Sequence, residues 1–116
     1  MAVPGTWTLF YDWTCVGTYS SATLTLNADG TFTSGAGHSG FWAQEAGMYV
    51  HTYNNSETIY AGNLASKSIT GIITTWIPTV INPVTLTGCF YMLQEGVPTA
   101  FAEERLAGQR DEVGNE

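Results

Sequence analysis

Positive charge is nearly missing from this sequence. Lys plus Arg number 3 against 10 Asp plus Glu, a formal charge of −7. The isoelectric point falls near 4.4. Without a basic patch to neutralise phosphates, nucleic-acid binding is not expected. Charge of either sign is scarce, at 11% of 116 residues, where an average globular domain has roughly 25%. No apolar run approaches the roughly 18 residues that cross a bilayer as a helix. The first residues show no basic stretch followed by an apolar one, so no export signal is expected there. Cysteine is limited to Cys15 and Cys89. No Cys-x-x-Cys or His-x-His spacing is present, so no metal site is expected. There is no phosphate loop, no nucleophile elbow and no paired His–carboxylate motif, so no cofactor and no catalytic residue is assigned.

What remains is apolar, aromatic and hydroxylated. Hydrophobic residues make up 44% of the chain and aromatics 13%, too much for a disordered polypeptide. Residues 1–94 carry only Asp12, Asp29, Glu45, Glu57 and Lys67 as charges, whereas residues 95–116 carry eight. The composition therefore divides the chain into a body, 1–94, and an acidic C-terminal segment, 95–116. The 17 threonines suit the outer faces of strands, because Thr is β-branched and bonds water. Within the C-terminal segment, Pro98 to Gly108 reads as a short helix with a terminal glycine. Gln109 to Glu116 reads as a solvated tail.

Residues 5–94 show period-2 alternation and no helical period. Gly5 to Trp13 places Trp7, Leu9, Tyr11 and Trp13 on one face and Thr6, Thr8, Phe10 and Asp12 on the other. Further strands are expected over Val16–Leu26, from Thr31, over Phe41–Glu45, Met48–Tyr53, Glu57–Asn63, Ser66–Trp76 and Leu86–Gln94. Asn27-Ala28-Asp29-Gly30 is a hairpin signal, since Asp-Gly supplies the positive φ of a tight turn. Pro78 and Pro83 exclude 77–83 from any central strand. Eight sequential strands joined by short links favour an all-β, antiparallel, up-and-down arrangement. Closing it into a barrel removes both edges, and eight strands leave room for side chains or one small ligand. A two-sheet sandwich is the alternative.

Four of these segments resemble lipocalins and related calycin-type small barrels. Gly5-Thr6-Trp7 has the Gly-x-Trp form that opens the first lipocalin strand. Asn27-Ala28-Asp29-Gly30-Thr31-Phe32 resembles the hairpin between strands two and three. Ser68-Ile69-Thr70-Gly71-Ile72 and Gly88-Cys89-Phe90-Tyr91 resemble late strands. The likeness covers about residues 5–94, and the length resembles the avidin branch. It implies that Trp7 plugs the closed end and that its face points inward. The polar set by which avidins hold biotin is not matched, so biotin is not the implied ligand.

The aromatics nominate a site. Trp13, Trp42 and Trp76, with Tyr11, Tyr60 and Tyr91, are candidates to ring an apolar pocket, unless they only fill a small core. Tyr49, His51 and Tyr53 share one strand face. If it points inward, it forms a polar-aromatic wall for a planar ligand; otherwise the row faces solvent or a partner. His38 is expected in an exposed loop. Asp12 is expected on the outer surface, where an exposed carboxylate is the common case. The apolar stretch Trp76–Val84 would be a lid or a contact between subunits. Cys15 and Cys89 fall on strands that adjoin in a closed meander, so a disulfide is geometrically allowed; two buried thiols are the other reading. A homo-oligomer is one use of so uncharged a surface, and both extracellular and cytoplasmic locations stay open.

Three functions follow. The first is a binding protein that holds a small hydrophobic or aromatic molecule inside the barrel. The second is a barrel-type cyclase or isomerase that shapes its substrate with few catalytic groups. The third is a self-assembling structural subunit.

Overall fold

Alternating sequence becomes a closed wall. The computed structural model describes residues 3–54, 57–77 and 84–96. Eight strands follow in order: β1 (Gly5–Trp13), β2 (Ser20–Leu26), β3 (Thr31–Ser34), β4 (Ser39–Glu45), β5 (Met48–Tyr53), β6 (Thr58–Ala65), β7 (Ser68–Ile77) and β8 (Val84–Gln94). Each pairs antiparallel with the next, and β1 also pairs with β8, so the sheet is a closed up-and-down barrel and not a sandwich. The helix expected over 98–108, the tail after it and most of the 76–84 stretch lie outside the described residues.

The register settles which faces turn inward. Trp7, Leu9, Leu24, Leu26, Phe32, Tyr49, His51, Tyr60, Leu64, Ile69, Ile73, Phe90 and Met92 are all buried. They occupy alternate positions along their strands, as one shared interior demands. The end near the N-terminus is plugged. Val3 is buried there, and the Trp7 indole N–H donates to the Val3 carbonyl at 2.7 Å. At the same end, Asn27–Gly30 forms the β2–β3 turn. The Asp29 carboxylate accepts the Thr31 hydroxyl at 2.6 Å and the Thr31 N–H at 3.0 Å. Those bonds hold the Asp29 carboxyl below the usual range. Farther round the wall, Gly62 faces Gly71 across β6 and β7. A β-carbon on either would run into backbone of the opposite strand, so only glycine permits this close approach.

The segment after β1 departs from the expected strand over Val16–Leu26. Residues 14–19 instead fold across the outer wall. Thr14 and Cys15 turn with φ of 70° and 55°, the left-handed region that non-glycine residues seldom enter. Cys15 is disulfide-bonded to Cys89 of β8, with Cα atoms 5.3 Å apart. Asp12, which pairs with Cys89 in register, does point outward. It is nevertheless only 3% exposed, a correction to its expected place on the surface. The folded-back segment covers it, and the Gly17 N–H donates to its Oδ2 at 2.6 Å. Tyr19 lies edge-on to Tyr91 at 5.0 Å, and Tyr91 stacks on Phe10 at 4.6 Å. A small second core, with Leu93 buried in it, thus sits outside the β1–β8 seam.

The disulfide closes a loop between residues 74 apart in sequence. Loop-closure entropy assigns such a link about 4 kcal/mol. Replacing both cysteines by serine should lower the unfolding free energy in urea by about that amount. Reductant should lower the wild-type midpoint and leave the double variant unchanged.

Candidate functional site

At the opposite end, the described residues do not fill the barrel. A cavity of about 310 Å³ lies in this mouth, lined by Tyr11, Trp13, Tyr53 and Tyr60 together with Ser34, His38 and Thr58. Strand parity explains the lining. Tyr11 and Trp13 end the inward face of β1, Tyr53 ends that of β5, and Thr58 and Tyr60 begin that of β6. None of the described lining residues is a charged carboxylate, lysine or arginine. The Tyr53 and Tyr60 rings meet edge-on, with centroids 5.6 Å apart. At the rim, the Thr58 and Thr75 hydroxyls lie 2.8 Å apart.

Aromatic rings form the layer beneath. His51 is fully buried and stacks on Tyr60, with ring centroids 4.4 Å apart. Phe32, Tyr49, Tyr53 and Phe90 surround it edge-on at 5.0 to 6.4 Å. The Tyr49 hydroxyl shares a hydrogen bond of 2.8 Å with His51 Nδ1. His51 Nε2 is buried and finds no hydrogen-bond partner among the described residues. Desolvation drives the imidazole pKa down to about 3, so the ring stays neutral. The same burial raises the Tyr49, Tyr53 and Tyr60 phenols above the ordinary tyrosine value, and the hydroxyls keep their protons.

The sequence-nominated residues therefore separate. Tyr11, Trp13, Tyr53 and Tyr60 line the cavity. Tyr49 and His51 face inward but lie below it. Trp42 is half-buried against the core, its indole N–H bonded to the Asn27 carbonyl at 2.8 Å near the plugged end. Trp76 and Tyr91 do not belong to the mouth. Trp76 pairs with Thr85 and alternates with the buried Thr75, so it faces outward and is 44% exposed. Tyr91 is locked in the outer core. Sequence reasoning missed Ser34, His38 and Thr58 as lining. Inward parity at the strand ends marks Ser34 and Thr58. His38 is in an exposed loop, as expected, yet its ring meets Tyr53 edge-on at 5.7 Å. Among the described residues, no three His, Cys, Asp or Glu side chains gather to hold a metal ion. Also among them, no helix is long and apolar enough to cross a membrane.

His51 supplies a pH test. The unfolded imidazole takes up its proton near pH 6.5, the native one only near pH 3. Between those values the unfolded chain binds the extra proton, so stability should rise with pH, by up to about 1.4 kcal/mol per unit. Urea midpoints of wild type and His51→Gln across this window check it: the variant's profile should be flatter. Equal slopes would mean that His51 titrates alike in both states.

No family model, no curated protein and no solved structure matches this chain.

Proposed function

We propose that the protein binds a small, uncharged aromatic molecule in the mouth of its barrel. The cavity carries this reading. About 310 Å³ stands at the lower end of small-molecule sites, roughly 300–1,000 Å³. Its walls give flat apolar faces from Tyr11, Trp13, Tyr53 and Tyr60, with hydroxyls to orient a polar substituent. Among the described lining residues a charged ligand would find no opposite charge, and it would lose its hydration. The ligand rests in the upper half alone, since Trp7, Leu9, Leu24 and Met92 fill the lower half. The resemblance of Gly5-Thr6-Trp7 and the 27–32 hairpin to lipocalins supports the same use of the barrel.

Binding is favoured over turnover by the state of the polar groups. Tyr53 and Tyr60 retain their protons, and His51 is neutral beneath them. The phenols act as hydrogen-bond donors and not as bases near neutral pH. The disulfide favours an oxidising compartment as the working environment.

Titration with N-phenyl-1-naphthylamine, a neutral aromatic fluorophore, tests the proposal. Saturable fluorescence enhancement with quenching of Trp emission is expected. Tyr60→Phe should weaken binding about tenfold, the worth of one buried hydrogen bond. Trp13→Ala should weaken it further, and Trp76→Ala should not change it. Binding indifferent to Trp13 would place the site elsewhere and sink the proposal.

A further inference from the structure

The outer wall from β4 to β7 carries most of the large exposed apolar side chains among the described residues. Phe41, Met48, Ile59, Ile72 and Trp76 stand outward on these four adjoining strands, each between 44% and 69% exposed. Registers place Phe41, Ile59 and Ile72 in two adjacent rows, with Met48 opposite Glu45 in the row beyond. Phe41, Thr52, Ile59 and Thr74 lie side by side across the wall, and Ala43, Val50, Ala61 and Ile72 form the next row. Neither row holds a charge. Glu45 and Glu57 lie at opposite ends of the wall. Large side chains bury roughly 200 Å² each, so exposures of this size leave about 100 Å² on each of the five. With the alanines, threonines and Val50 between them, the face approaches the roughly 800 Å² per partner of a standard interface.

Relief on this face names the occupant. A hollow of about 320 Å³ opens beside these rows, lined by Ala43, Val50, Ala61 and Met48 together with the polar Gln44 and the carboxylate of Glu45. Beside it, Ile72 and Phe41 project. Knobs and hollow occur on one face, which is the requirement for a two-fold symmetric contact between identical chains. A chain of charge −7 repels its own copies through most approaches. These charge-free rows are where that repulsion is least and apolar burial greatest. We propose that two copies of this chain associate through the β4–β7 wall, with projecting side chains of each seated in the other's hollow. The mouth lies at the end of the barrel and not on this wall, so both cavities stay open in the dimer.

Sedimentation velocity at high micromolar concentration tests it. Wild type should sediment at twice 12.5 kDa. Ile72→Glu should sediment at 12.5 kDa, with the near-UV circular dichroism of the folded barrel. Phe41→Ser repeats the test without adding charge and should shift the same way. Thr25→Glu, on the exposed outer face of β2, should remain dimeric. A monomeric wild type, a dimeric Ile72→Glu, or dissociation by Thr25→Glu as well would each overturn the proposal.

Discussion

The pairing of the first strand with the last governs this structure. Without it, β1 and β8 would present two rows of unpaired N–H and C=O groups. With it, the sheet has no edge. Its register also sorts the side chains. Asp12 opposite Cys89 and Phe10 opposite Tyr91 leave Trp7, Leu9, Phe90 and Met92 facing inward. A slip of one residue would exchange the two sets. The disulfide and the Phe10–Tyr91–Tyr19 cluster span this seam, and the Gly17–Asp12 hydrogen bond pins the loop that carries Cys15 over it. Three kinds of interaction reinforce the same junction from outside, where they take up none of the interior.

The interior that they leave free is graded along the barrel axis. At the plugged end, Val3, Trp7, Leu24 and Leu26 fill the space. Rings dominate the middle, because eight strands enclose a width that aromatics span. Toward the mouth the rings carry hydroxyls, and packing gives way to a cavity. His51 marks the transition. One ring nitrogen is satisfied by Tyr49 and the other by nothing described, so a neutral imidazole rests where apolar packing meets polar lining.

Much of this architecture is legible in the sequence for a local reason. Alternation along Trp7-Thr8-Leu9 and Tyr49-Val50-His51 reports one wet and one dry face, and Asp29-Gly30 reports a turn. Strand count follows from those signals, whereas closure is set by the β1–β8 pairing, which local patterns leave open against a sandwich. The site is only partly legible. Tyr11, Trp13, Tyr53 and Tyr60 lie at inward positions on strand ends, so parity finds them once the inward face is known. Trp76 and Tyr91 are equally aromatic, but their parity is outward, and bulky residues on both faces of β7 and β8 hide that. Asp12 shows a different limit. Its parity reads correctly, yet a loop anchored by a cysteine far along the chain covers it, and no local pattern carries that information.

The seam also bears on how the barrel forms. It joins the two strands most distant in sequence, so it is the contact with the largest loop entropy to overcome, and folds rich in such contacts form slowly. The seven hairpin-type pairings involve neighbours and can form ahead of it. Once the Cys15–Cys89 bond is made, β1 and β8 stay tethered even when the chain is otherwise unfolded. Each refolding event then starts with its slowest encounter already accomplished, so oxidation favours fast recovery as well as a deeper native well.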